Sequence, residues 1–264
     1  MRTVIAVTIL AMGIMATNPL RAEQTAAATG SQAELSRAAT ANKYLFVFVT
    51  ENNDDATQAA RKTFETAAGK LADQAAWITV DRTDAAEKEF VQKYGLAQAP
   101  MPLVLAFAPN GAITGGFPAA QLTEQRLRDA LVSPGMQHCL KALQERKLVL
   151  VCVQNGNTKS NDVALQGVND FKADARFAKV TEVVKIDPTV AAEAKFLGQL
   201  QIDPKATEAT TALLAPPGAV LAKFTGATEK IMLEAALQKA SSGCGPGASG
   251  CGPGASSGCA PPKR

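Results

Sequence analysis

The sequence has little excess charge and few aromatic side chains. Its 264 residues include 27 basic and 24 acidic side chains, a formal net charge of +3, and only 5% aromatic residues. A near-neutral chain lacks the basic surface typical of nucleic-acid binders, so we expect no nucleic-acid partner. Because 47% of the residues are hydrophobic, the composition nevertheless predicts globular units, with aliphatic rather than aromatic cores.

The N-terminal apolar run is too short to cross a bilayer, which takes about 20 residues. It extends from Val4 to Ala16 and follows Arg2, and Leu20-Arg21-Ala22 then precedes Glu23. These are the basic, apolar and cleavage regions of a secretory signal peptide. We therefore predict a signal peptide over residues 1–22 and an exported mature protein, periplasmic or extracellular, without a membrane span.

A repeated β-hairpin dominates the rest of the chain. Residues 103–117 and 212–224 each contain two short apolar runs separated by a Pro- and Gly-containing turn, which is a hairpin pattern. Gly111 of the first turn, which is free to adopt positive φ, recurs 107 residues later as Gly218. The chain is therefore predicted to be a tandem repeat in which each hairpin belongs to one unit.

Each unit has the same predicted order of strand, helix, strand, helix, hairpin and helix, which requires a mixed sheet. We expect the first core to include Phe46, Phe48, Phe64, Trp77 and Leu105. The predicted organisation is a signal peptide (1–22), a flexible leader (23–33), a first domain (34–133), a second domain (134–240) and a Gly/Pro/Cys-rich disordered tail (241–264).

This order resembles the thioredoxin superfamily. The resemblance covers about residues 34–132 and, more weakly, 135–240, and it implies an α/β fold of two tandem thioredoxin-like domains, each a mixed central sheet flanked by helices. The residues that carry it are Phe46–Val49, Ile78–Asp81, Tyr94–Leu96, Pro100–Pro102, Asn110–Gly111 and Gly116–Phe117.

The family's Cys-x-x-Cys dithiol is absent from both units. Where the resemblance places it, at the start of the helix after the central strand, residues 53–56 read Asn-Asp-Asp-Ala and residues 157–160 read Asn-Thr-Lys-Ser. A helix N-terminus activates a thiol by lowering its pKa, but neither position has a thiol to activate. The resemblance therefore implies a redox-inactive binding or scaffolding protein that acts on other exported proteins.

The proline that the family places before the hairpin, usually in a cis peptide bond, matches Pro102, whereas the second unit has Ala209 there. By resemblance, Met101 and Pro102 are candidates for docking an extended peptide, and the alternative is that Pro102 only shapes a turn. Asp81 and Asp187 end matching strands and are interpreted as caps of the structure that follows.

The remaining candidates for chemistry within the two units are His138, the only histidine, and its neighbour Cys139. Cys139 aligns with Leu35 and Cys152 with Phe48, so both thiols are predicted to be buried apolar side chains rather than metal ligands or nucleophiles. No nucleophile–base pair, metal cluster or phosphate-binding loop is recognisable, which favours binding over catalysis.

The predicted tail contains the repeated sequence Cys-Gly-Pro-Gly, at Cys244 and Cys251, and a third thiol at Cys259. Gly, Pro and Ser dominate this segment, which predicts no packed core. Three such thiols can bind a soft metal ion, copper or zinc, or form disulfides within the tail or between chains in an oligomer. This metal-binding or thiol-redox function is the alternative to the binding function of the two units, and a simple spacer is the third possibility.

Overall fold

The computed structural model describes residues 30–242. The predicted signal peptide lies outside these residues, as do the three tail cysteines. The first unit comprises α1 (Ser31–Thr40), β1 (Tyr44–Thr50), α2 (Asp55–Gly69), β2 (Ala75–Asp81), α3 (Lys88–Lys93), β3 (Leu103–Phe107), β4 (Ile113–Pro118) and α4 (Glu124–Asp129). The second comprises α5 (Pro134–Gln144), β5 (Leu148–Val153), α6 (Asn161–Ala173), β6 (Thr181–Ile186), α7 (Ala194–Gln199), β7 (Thr210–Ala215), β8 (Ala219–Thr225) and α8 (Lys230–Ser242).

Each unit contains its own four-stranded mixed sheet. The strand order is β2-β1-β3-β4 in the first sheet and β6-β5-β7-β8 in the second. The first two strands of each unit pair in parallel, and the hairpin adds two antiparallel strands on the other side of the central strand. This arrangement confirms the predicted α/β class and the mixed sheet of each unit.

The central strands are buried on both faces because helices cover both sides of each sheet. In the first unit, Phe46 and Phe48 pack towards α2, where Phe64 meets them, while the alternate residue Val47 packs towards α1 and α3. In the second unit, α6 and α8 cover one face and α5 and α7 the other. The uninterrupted apolar runs of β1 and β5 therefore reflect burial on both faces.

The predicted place of Trp77 in the first core is wrong. Trp77 is 37% exposed, whereas Phe46, Phe48 and Phe64 are fully buried and Leu105 is 7% exposed. The reason is strand order: β2 is the outer strand of its sheet, so only one neighbouring strand flanks it. The apolar sequence of β2 identifies it as a strand but does not reveal its place at the edge.

Helix α1 begins at Ser31, inside the segment predicted as a leader and three residues before the predicted start at Glu34. The backbone N–H of Ser31 donates to Glu87 Oε1 at 3.1 Å, and the Ser31 hydroxyl donates to the other oxygen of that carboxylate. Glu193 plays the same part in the second unit, accepting from Gly135 N at 2.8 Å. A carboxylate distant in sequence thus caps each leading helix, which local sequence does not predict.

Helix α5 packs against β4, the outer strand of the first sheet. The Gln144 side chain accepts from Ile113 N at 3.0 Å and donates to Ile113 O at 2.7 Å, so it pairs with the strand edge as a neighbouring backbone would. Nearby, the Tyr44 hydroxyl donates to Val132 O and accepts from Gln137 Nε2 at 2.8 Å.

Within residues 30–242, no helix has the length and apolar character needed to cross a bilayer.

Candidate functional site

The candidate site lies where the central strand of the first unit ends and α2 begins. Asp54 caps α2, since its Oδ1 accepts from Thr57 N at 2.8 Å, and this backbone hydrogen bond lowers the pKa of the Asp54 carboxyl. Asn52 Oδ1 accepts from the Thr57 hydroxyl at 2.9 Å, and Asn53 Oδ1 from Arg61 at 3.2 Å. Hydrogen bonds of its own side chains therefore fix this loop. It has the Asp54 carboxylate where the thioredoxin superfamily has a thiol.

Met101 and Pro102 lie beside this loop. Leu103 pairs with Val49 near the end of β1, which places the two preceding residues next to the start of the loop. The Met101–Pro102 peptide bond is cis, and Pro102 O accepts from Ala119 N at 2.8 Å. Among the described residues, no group hydrogen-bonds the N–H or C=O of half-buried Met101. We call the backbone of Met101 and Pro102 the Met101 edge.

Ala209 holds the matching place in the second unit, as the sequence alignment predicted. Its carbonyl accepts from Gly226 N at 2.8 Å, which reproduces the bond between Pro102 and Ala119. This second edge is occupied by the chain itself. Lys159 N donates to Thr207 O at 2.8 Å, and Ala209 N donates to Lys159 O at 2.9 Å, so Lys159 and Glu208 form an isolated parallel β-bridge. We call residues 207–209 the Glu208 edge.

Two sequence differences explain why one edge is open and the other is filled. Four residues, 51–54, connect β1 to α2, whereas seven residues, 154–160, connect β5 to α6, and the extra length brings Lys159 to the edge. Ala209 also supplies an N–H donor that Pro102 lacks. Sequence reasoning missed this contact, although the unequal loop lengths and the Pro-to-Ala difference were both visible signals.

The two cysteines of the described residues are buried and unpaired, as predicted. Burial raises the pKa of Cys139 to about 12, and the nearby Glu193 carboxylate adds to the shift. Burial likewise raises the pKa of Cys152 to about 11, partly offset by Lys185. They belong to the cores on opposite faces of the second sheet, so they do not form a thiol pair.

Among the described residues, the other sequence candidates form no hydrogen bond with Met101 or Pro102. His138 is exposed on α5, next to the buried Cys139. Asp81 and Asp187 each cap the turn after their strand, accepting from Thr83 N at 2.8 Å and from Thr189 N at 2.9 Å. Within residues 30–242, no three His, Cys, Asp or Glu side chains are grouped to hold a metal ion. The candidate metal ligands Cys244, Cys251 and Cys259 lie outside the described residues.

Strand order and helix placement define two tandem thioredoxin-like domains, and neither has Cys-x-x-Cys at the start of the helix after its central strand. No protein-family model matches the chain, and no curated protein matches it. Solved structures of this fold do match it, at low identity.

One is a disulphide isomerase from Xylella fastidiosa Temecula1, with 18% identity over 43% of this chain and 95% of that chain, at a TM-score of 0.32. Human ERp44 in a zinc-bound form has 11% identity over 83% of this chain and 60% of that chain, at a TM-score of 0.34. The first two thioredoxin domains of Saccharomyces cerevisiae Eps1p have 10% identity over 78% of this chain and 94% of that chain, at 0.30.

Proposed function

We propose that this protein is an exported, non-catalytic binding protein that holds extended segments of other exported proteins at the Met101 edge. The observation that carries the proposal is the unpaired N–H and C=O of Met101, beside the fixed loop at the start of α2. Met101 and Pro102 directly precede β3, and free backbone groups at the end of a strand can bind an extended chain by main-chain hydrogen bonds, while side chains select among sequences.

The residues around the Met101 edge support binding without thiol chemistry. Asp54 occupies the helix start at which a nucleophilic thiol would be activated, and Asp55 follows it. The thiols of Cys139 and Cys152 are buried in the other domain. A segment held at Met101 therefore meets carboxylates and amides, which can form hydrogen bonds but cannot exchange a disulfide.

The flanking prolines determine the orientation of a bound segment. Pro100 and Pro102 have no N–H, so only Met101 offers both a donor and an acceptor at this edge. Two residues that exchange both backbone hydrogen bonds form an antiparallel pair. A partner segment is therefore expected to run antiparallel to the chain at Met101, with the adaptable thioether side chain beside it.

The test measures binding of a permanently unfolded probe, a reduced and carboxymethylated protein with a fluorescent label, to the mature chain. Met101→Pro removes the N–H donor, and the loss of one hydrogen bond is expected to weaken binding about tenfold. Met101→Leu keeps the donor and nearly the same volume, so it should bind as the wild type does. Fluorescence anisotropy gives the affinities.

Thermal unfolding of both variants shows whether the fold is retained. If folded Met101→Pro binds the probe as well as Met101→Leu does, the Met101 edge is not the binding site. If the wild-type chain does not bind the probe at all, the proposed function is wrong for unfolded segments.

A second function is proposed for the tail because of its repeated Cys-Gly-Pro-Gly sequence. Cys244, Cys251 and Cys259 are three thiols within a short segment, and thiolates favour soft metal ions such as Cu(I) or Zn(II). The same thiols could instead join chains through disulfides. Both possibilities are proposals from sequence, and a Cu(I) titration of the mature chain tests the first.

A further inference from the structure

We propose that the Glu208 edge of the second domain is a second segment-binding site, which the 154–160 loop keeps closed. The segment that fits this edge runs parallel to residues 207–209, pairs with Glu208 through its backbone, and turns directly after the paired residue, at a hydroxyl residue. The inference does not depend on binding at the Met101 edge, because it concerns other residues, another orientation and another donor.

The loop itself shows what the edge recognises. Two backbone hydrogen bonds flank Glu208, and the Ser160 hydroxyl donates to Glu208 Oε2 at 2.8 Å. The Lys159 side chain is exposed and has no hydrogen-bond or ion-pair partner among the described residues. The Glu208 edge therefore binds the backbone of one residue, Lys159, and the side-chain hydroxyl of the next, Ser160. Another polypeptide with a hydroxyl residue could offer the same groups.

The loop has a shape of its own that does not require the edge. Thr158 N donates to Asn155 O at 3.2 Å, and Asn161 Nδ2 donates to the same carbonyl at 2.6 Å. Asn155 N in turn donates to the Thr158 hydroxyl at 2.9 Å. These bonds form a closed turn on the helix start, so the turn can persist when its contact with the Glu208 edge is broken.

The contact with the edge is small and includes an unfavourable backbone conformation. Apart from the hydrogen bond of Ser160, it consists of one isolated β-bridge. Ser160 itself has φ 63°, in the left-handed region that non-glycine residues seldom adopt. The closure therefore rests on three hydrogen bonds, and a segment that supplies the same three would compete with the loop.

Two single substitutions form a matched pair. One changes Lys159, the loop residue that occupies the Glu208 edge, and the other changes Ala209, whose N–H is the donor of that edge. Lys159→Pro removes the N–H that bonds Thr207 O, which weakens the closure and leaves the edge intact. Ala209→Pro also weakens the closure, but it removes the N–H donor of the edge itself. Only the first variant should expose a functional edge.

The experiment uses the full mature chain and a labelled, end-blocked peptide of residues 155–161, Asn-Gly-Asn-Thr-Lys-Ser-Asn. We expect Lys159→Pro to bind this peptide at least about tenfold more tightly than the wild type, since the internal competitor has lost one hydrogen bond. Ala209→Pro should bind no more tightly than the wild type. A peptide with alanine in place of the serine should bind the first variant more weakly.

Equal binding to wild type and Lys159→Pro would overturn the proposal, and so would equal binding to the two variants. If Lys159→Pro fails to unfold cooperatively, deletion of residues 156–158 replaces it, because that change gives the loop the length found in the first domain. Repeating the titration with Met101→Pro present separates the two edges: the peptide should bind undiminished, whatever the unfolded probe does.

Discussion

At the scale of single residues, the place of an ionisable side chain in the fold determines the direction in which its pKa is shifted. Asp54 is an exposed helix cap whose pKa is lowered by a backbone N–H, whereas burial raises the pKa of Cys139 and Cys152. The chain therefore combines an ionised start of α2 with core thiols that stay protonated. Both features oppose disulfide exchange.

We expect Cys139 and Cys152 to be unreactive in the folded protein. With pKa values of about 12 and about 11, roughly 0.1% or less of either thiol is ionised at pH 8, and both are shielded from reagents. In a variant with the three tail cysteines changed to serine, Ellman's reagent should titrate no thiol until denaturant is added, and insulin should not be reduced. Rapid labelling of a native thiol would contradict this expectation.

The candidate site was only partly predictable from its residues. The sequence indicates Pro102 and the missing dithiol because both are local patterns. The contact of Lys159 with Glu208 joins residues far apart in the chain and uses backbone groups that every residue has. The side chains of Lys159 and Glu208 therefore give no sign of it, and only the difference in loop length and the alanine in place of the proline indicate it.

At the scale of elements, the periodic apolar patterns predict most helices and strands, whereas the close approaches between them depend on single small residues. Helix α6 meets the segment before α8 at Gly167, where an added Cβ would lie 1.9 Å from the backbone oxygen of Thr228. Thr228 is fully buried, and its hydroxyl donates to that of Thr211 on β7. The helix pattern of α6 contains nothing that requires glycine there.

Gly167→Ala is expected to destabilise the protein by about 1–3 kcal/mol or more, because backbone rather than a flexible side chain obstructs the new methyl group. The matched control is Gly69→Ala at the end of α2, where the added Cβ meets no described atom within 4 Å apart from its chain neighbours and the backbone of its own helix. This control should be neutral or slightly stabilising, since alanine favours helix. Urea unfolding measures both, and equal stability of the two variants would mean that α6 shifts freely.

At the scale of the whole molecule, the repeated order of elements accounts for the two sheets but not for how the two units differ. The repeated hairpins predict two similar sheets, and the structure has them in the same strand order. Two differences arise from the order of the copies and from loop length: α5 covers the outer strand of the first sheet, and the 154–160 loop covers the Glu208 edge of the second domain. Neither difference follows from the apolar periodicity of one unit, because each contact joins two segments that lie apart in the sequence.

The tail can be tested against this well-defined background. The described residues contain two thiols, both buried, and among them no group of three His, Cys, Asp or Glu side chains suits a metal ion. Copper binding that is lost when Cys244, Cys251 and Cys259 are changed to serine would be assigned to these thiols. Three thiolates suit trigonal Cu(I), whereas a tetrahedral zinc site needs a fourth ligand.

We expect the reduced mature protein to compete with a chelator for Cu(I), and the variant with all three tail cysteines changed to serine to lose this ability. A second control, Cys152→Ala, removes a buried thiol and should bind copper as the wild type does. Because three thiols cannot all pair within one tail, the oxidised protein should also show a free thiol or a disulfide-linked dimer on non-reducing gels. If the triple variant binds Cu(I) as tightly as the wild type does, the tail is not the metal site, and the two folded domains are left as the functional part of the chain.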